Sequence, residues 1–250
     1  MERNHIAVVT GGSRGIGAAT AKLAAQAGYR VCIASRHREK DADEVVAAIQ
    51  RDGGEAMAVS ADVGREADVV RLFDAVDRRF GEVTALVNNA GILERQMRVE
   101  EMDAERLTRV FNANVVGSFL CAREAVRRMS TRHGGHGGAI VNVSSVAARL
   151  GSPNEYIDYA ASKAAIDTLT VGLAKEVAGG RNRVNCGRPG SIYTEIHASG
   201  GEPGRVDRVK ARIPMQRGGE AEEIARAIVW LLSDEASYMT GSLVDVAGGL

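Results

Sequence analysis

A tyrosine and a lysine stand four residues apart, at Tyr159 and Lys163. On a helix that spacing places both on one face. A free phenol ionises near pH ~10, and a nearby ammonium favours the phenolate and lowers that value. Such a phenol can give a proton to a carbonyl oxygen, or take one from an alcohol, near neutral pH. Tyr156 has no lysine four residues on, so it reads as a pocket wall. Ser144 and Ser145 are adjacent at a strand end and point to opposite sides. One of them is placed to hold the same oxygen.

A second chemical feature is Thr10-Gly11-Gly12-Ser13-Arg14-Gly15-Ile16-Gly17, between an apolar run and a helical pattern. Glycine permits positive φ and close backbone approach, and the free N–H groups of a helix start favour an anion. At a strand–helix junction this predicts a dinucleotide pyrophosphate site. An NAD site usually has an acid at the end of the second strand, to hold the ribose hydroxyls. Here that end reads Ala34-Ser35-Arg36-His37-Arg38. Guanidinium forks onto phosphate, so Arg36, with Ser35 and Arg14, suits a 2′-phosphate, and NADP(H) is expected ahead of NAD(H). His133 and His136 have no nearby acid or thiolate and read as a solvated loop, so no metal is expected. Arg205, Arg208, Lys210 and Arg212 are open to two readings, contact with an anionic substrate or a solvated helix.

These residues need a scaffold. Apolar runs without polar alternation predict strands at Ile6–Thr10, Arg30–Ala34, Glu55–Ser60, Ala85–Asn88, Ala139–Ser144, Arg183–Cys186 and Leu243–Val246. Helical patterns separate them at Ile16–Ala27, Ala42–Gln50, Glu66–Phe80, Met102–Met129, Tyr159–Val177 and Glu220–Ser233. The alternation predicts an α/β fold, one doubly wound Rossmann domain over residues 1–250. Its seven-stranded parallel sheet carries helices on both faces. The polar stretch Ser191–Gly219 reads as a lid.

The spacing Thr-Gly-x-x-x-Gly-x-Gly, with Asn88-Asn89-Ala90-Gly91, Asn114, Ser145, Tyr159-Ala-Ala-Ser-Lys163 and Pro189-Gly190, resembles the short-chain dehydrogenase/reductase family in order along the whole chain. The resemblance implies a carbonyl–alcohol oxidoreductase. Ser145 would orient the substrate oxygen, Tyr159 would be the general acid/base, and Lys163 would bind the nicotinamide ribose. Asn114 would hold a proton-relay water. Asp62 would meet the adenine amino group and Val63 its ring. Asn89, Ala90 and Gly91 would line the adenosine ribose, and Ile192 and Thr194 would meet the carboxamide. It also implies a homotetramer or dimer, with the helices Met102–Met129 and Tyr159–Val177 in one interface. Ser144–Lys163 and His197–Gly219 are similar to glucose-1-dehydrogenase-like oxidoreductases, and the chain also resembles 3-oxoacyl-carrier-protein reductases. Arg181-Asn182 and Gly187 depart from the family pattern around the sixth strand. The competing reading is a non-catalytic NADP(H)-binding sensor on the same fold.

Composition narrows the field. Lys+Arg and Asp+Glu both number 32, so no basic excess favours nucleic acid. No apolar run approaches the ~20 residues that span a bilayer. Met1–His5 leads straight into a strand and reads as lacking a leader. The three cysteines, Cys32, Cys121 and Cys186, are scattered and odd in number, which reads as free thiols in a reducing cytoplasm.

Overall fold

Seven strands form one sheet in the order β3-β2-β1-β4-β5-β6-β7, every neighbouring pair parallel. The computed structural model describes residues 5–250, so the reading of Met1–Asn4 lies outside it. The elements run β1 (Ile6–Thr10), α1 (Gly15–Gln26), β2 (Arg30–Ser35), α2 (Glu39–Arg51), β3 (Ala56–Ser60), α3 (Glu66–Arg79) and β4 (Ala85–Asn88). Then come α4 (Ala104–Phe111), α5 (Gly117–Met129), β5 (Gly138–Val143), α6 (Ala147–Leu150), α7 (Ile157–Val177) and β6 (Asn182–Pro189). Last are α8 (Ile196–Ser199), α9 (Arg205–Val209), α10 (Ala221–Leu232) and β7 (Leu243–Val246).

Alternating strand residues feed two cores. Ile6 and Val8 pack with Leu72, Phe73 and Met129 on one face. Ala7 and Val9 pack with Ala21, Ala24, Ile228 and Leu231 on the other. Both faces are therefore covered, which is why the strands read as unbroken apolar runs. The chain leaves β3 at one edge and returns at β4, beside β1. The order thus reverses between β1 and β4, where doubly wound sheets open a crevice at their carboxyl ends.

Two expectations change. The single helix expected over Met102–Met129 is three pieces: α4, a π-helical segment Asn112–Val116, and α5. Asp103 caps α4, its Oδ1 accepting the Arg106 N–H at 2.6 Å. The sixth strand is also longer than expected and runs through Asn182 and Gly187, with Arg181 just before it. Gly187 pairs with Val143 and Val244, and an added Cβ would meet only Ile228, at 3.9 Å. Asn182 is buried and donates to the Gly180 carbonyl.

Inside the sheet a polar chain ties β4, β5 and α7 together. Asn88 Nδ2 donates to Asn142 Oδ1 at 3.0 Å, Asn142 Nδ2 to Thr170 Oγ1 at 2.9 Å, and Thr170 Oγ1 to the Ile166 carbonyl. Among the described residues no helix is long and apolar enough to cross a membrane.

Candidate active site

The crevice is a cavity of about 430 Å³ at the carboxyl ends of β1 to β6. Every site residue expected from sequence lines it except Gly17 and Asn114. Those two act from behind. A Cβ on Gly17 would lie 2.2 Å from the Gly11 carbonyl oxygen, so only glycine lets α1 start against the loop. Asn114 is fully buried. Its Oδ1 accepts the Ile92 N–H at 2.7 Å, and its Nδ2 donates to the Ile92 carbonyl and to Ser162 Oγ, both at 3.0 Å. These bonds occupy the amide, so its visible work is to clamp the loop after β4 to α7.

The glycine loop is held from below. Asn89 Nδ2 donates to the carbonyls of Thr10 and Gly11, and Thr10 Oγ1 accepts the N–H groups of Asn89 and Ala90. The Asn89 amide is thus spent on the loop rather than turned toward a ribose. Gly11, at φ +63°, sits against Ala90.

At the end of β2, Ser35 Oγ donates to Ser13 Oγ at 3.3 Å. Arg36 Nε lies 3.2 Å from Asp62 Oδ2 and the arginine is half exposed. Asp62 Oδ1 accepts the Gly64 N–H at 3.0 Å. Burial and the charge of Arg38 hold the Arg14 guanidinium below its usual value. Arg14, Arg36 and Arg38 thus line the cavity together at the end of β2, where the carboxylate that meets them comes from Asp62 after β3 and not from β2 itself. Glycine cradle, helix start and arginine cluster fit a nicotinamide dinucleotide.

At the other end the serine question resolves by geometry. Ser144 is buried and its Oγ donates to the Lys163 carbonyl at 2.9 Å. Ser145 lines the cavity beside Tyr159, its Oγ accepting the Ala147 N–H at 3.1 Å and its hydroxyl acting to lower the Tyr159 phenol. Lys163 Nζ lies 5.6 Å from the Tyr159 ring centroid and donates to the Val143 carbonyl at 2.8 Å. Tyr156 is buried at the wall, as expected.

The electrostatics differ from the expected depressed phenol. Burial pushes Tyr159 up to about 12, against smaller lowering effects of the Ser145 hydrogen bond and the Arg205 charge. Burial likewise brings Lys163 down to about 8, offset in part by Cys186 and Asp167. Desolvation disfavours the charged form of each and outweighs the opposing effects of their neighbours.

Two features were not expected from sequence. Arg106 and Asp158 form a buried ion pair, Nε to Oδ2 at 2.7 Å with side chains 4% and 1% exposed. Asp158 Oδ1 also accepts the Tyr159 N–H at 2.9 Å, and Arg106 Nη1 donates to the Arg95 carbonyl at 2.7 Å. His197 Nε2 lies 3.0 Å from the Ile192 carbonyl and ties α8 back to the first residues of the lid.

Comparison with known proteins agrees with this geometry. The family model described as "Enoyl-(Acyl carrier protein) reductase" matches residues 11–250. The chain belongs to the short-chain dehydrogenase/reductase family, whose members are oxidoreductases that use a nicotinamide cofactor. It is 64% identical over 244 residues to the "Uncharacterized oxidoreductase YgfF" of Escherichia coli (strain K12), covering 98% of this chain and 99% of that one. It is 35% identical to "Glucose 1-dehydrogenase 2" of Bacillus subtilis (strain 168), covering 98% and 93%. A crystal structure of a short-chain type dehydrogenase/reductase from Mycobacterium marinum superposes with a TM-score of 0.92 at 34% identity, covering 98% and 94%.

Proposed function

We propose that the protein is an NADP(H)-dependent oxidoreductase that interconverts a carbonyl and a secondary alcohol. The observation that carries this is one cavity holding the Tyr159 phenol, the Ser145 hydroxyl and Lys163 Nζ beside the glycine loop. The reduced cofactor, when bound, supplies the hydride to the carbonyl carbon. Tyr159 gives the proton to the carbonyl oxygen, and takes it back in the oxidation. Ser145 holds that oxygen against the phenol. Lys163, with one N–H given to Val143, has two left for a ribose. Asn114 fixes the backbone around them, and Asp62, Val63, Ile192 and Thr194 line the cofactor's path. The substrate is a small carbonyl compound, with a sugar and a 3-oxoacyl compound as the two classes nearest by analogy.

The same reading takes Ser191–Gly219, with α8 and α9, as the lid of a single catalytic domain. Exposed Leu107, Phe111, Val116 and Phe119 on the α4–α5 face support association into a homodimer or homotetramer. The buried free cysteines are consistent with a cytoplasmic setting.

The cofactor assignment is tested by Michaelis constants for NADPH and NADH. Arg36→Ala should weaken the NADPH preference roughly 10–100-fold, the range for a hydrogen bond to a charged group. Equal constants in the unaltered protein, or an unchanged preference in the variant, would sink the NADP(H) reading.

A further inference from the structure

Unpartnered buried polar atoms are rare, and each needs a reason. Tyr156 Oη, His197 Nδ1 and Arg205 Nε are three such atoms among the described residues, though the Gln96 side chain stands near enough to the Tyr156 phenol to lower it, and all three residues line the same end of the cavity. The surrounding wall is largely apolar, with Ile92, Leu93, Leu150 and Ile196 beside the hydroxyl-bearing Ser152.

Arg205 is the cation there. Its side chain is 18% exposed, and its Cζ stands 5.5 Å over the Tyr156 ring. Its Nη2 donates to Glu155 Oε2 at 2.5 Å. Glu155 does not line the cavity and stands behind the guanidinium. It is shared with Arg208, whose Nη2 reaches Glu155 Oε1 at 2.9 Å while also holding Glu202. Arg205 is thus oriented from behind by a half-committed carboxylate, and its Nε edge is left without a partner. A guanidinium so placed in an apolar wall matches a planar carboxylate. A dianionic phosphate would ask for more positive charge than one shared arginine supplies.

We propose that this end of the pocket is a carboxylate subsite and that the substrates are keto acids and the corresponding hydroxy acids, with Arg205 as counter-ion and the Tyr156 hydroxyl as second donor. The assignment rests on the oxidoreductase reading of the same cavity and replaces the sugar and 3-oxoacyl analogies, since neither class carries a free carboxylate. His197 Nδ1 is an acceptor while Nε2–H is given to the Ile192 carbonyl, so it suits a hydroxyl or water beside the anion rather than the anion itself. The three atoms are sealed from water in this structure. The carboxylate therefore reaches them by displacing the α8–α9 segment that carries His197 and Arg205.

The test pairs short keto acids with their methyl esters, which keep the carbonyl and lose the charge. With NADPH, the unaltered protein should prefer acid over ester in kcat/KM. Arg205→Met should reduce that acid-to-ester ratio roughly 10–100-fold, and Arg205→Lys, which keeps the charge without the fork, should retain part of it. The keto acids should also raise Tm in the presence of cofactor, an effect lost in Arg205→Met. Esters used as well as acids, or a ratio unchanged by Arg205→Met, would overturn the subsite. If neither acid nor ester turns over but acids still raise Tm through Arg205, the subsite stands and the oxidoreductase reading falls.

Discussion

Tyr159→Phe should lose turnover by roughly 10²–10⁴-fold in kcat, the range for removal of a positioned general acid. The change deletes one oxygen and keeps the ring, so the contact with Lys163, 5.6 Å from the ring centroid, survives. Cofactor affinity should therefore hold while the proton step fails. NADPH oxidation and a fluorescence titration of NADPH binding separate the two. Full activity in the variant would remove Tyr159 from the reaction, and a parallel loss of binding would make its role structural. Burial also sets a pH signature. A buried phenol pushed up to about 12 stays protonated where a free one ionises. The free protein should thus show no tyrosinate absorbance from Tyr159 below pH ~10, read as the difference between the unaltered protein and Tyr159→Phe. A step in that difference below pH ~8 would mean that charge, not desolvation, governs the phenol.

The second large effect belongs to the ion pair beneath it. Asp158→Ala leaves the Arg106 guanidinium buried without its counter-ion, at a cost of roughly 3–5 kcal/mol in unfolding free energy. The loss should appear as a lower denaturant midpoint with little change in m. The double variant Arg106→Met/Asp158→Leu should recover much of that stability, because apolar residues of similar volume remove both charges. It should not recover turnover. Asp158 Oδ1 also accepts the Tyr159 N–H within the first turn of α7, and Arg106 holds the loop after β4 through the Arg95 carbonyl. An Asp158→Ala variant as stable as the original would show that the pair contributes nothing net.

Much of this was legible in the residues. Val8 and Leu86 are wholly buried, so their runs read as strands, and the glycine loop declared itself by lying between a strand and a helix. Arg106 and Asp158 were not legible. Each sits in a helical pattern where a charge reads as solvated, and they are 52 residues apart. The π segment was hidden because apolar residues continue through it at near-helical spacing. The two serines were separable only once Ser144 was seen bonded to α7. The raised phenol also lay beyond reach, since desolvation depends on packing that no spacing reveals.

The π segment Asn112–Val116 has a consequence for chain length. A turn widened by one residue is equivalent to an insertion absorbed inside a helix. Deleting Ala113 would let the segment close into plain α-helix, with the residues on either side near their present phase, because the widened turn had absorbed the extra residue. Val110 before the segment and Cys121, Ala122 and Ala125 after it are all buried and can stay so. What changes is the turn itself, which carries Asn114 and its bonds to Ile92 and Ser162. A single-codon deletion at Ala113 should therefore leave soluble protein and impair turnover, whereas loss of soluble yield in the deletion beside Ala113→Ser would show that the residue count itself is constrained.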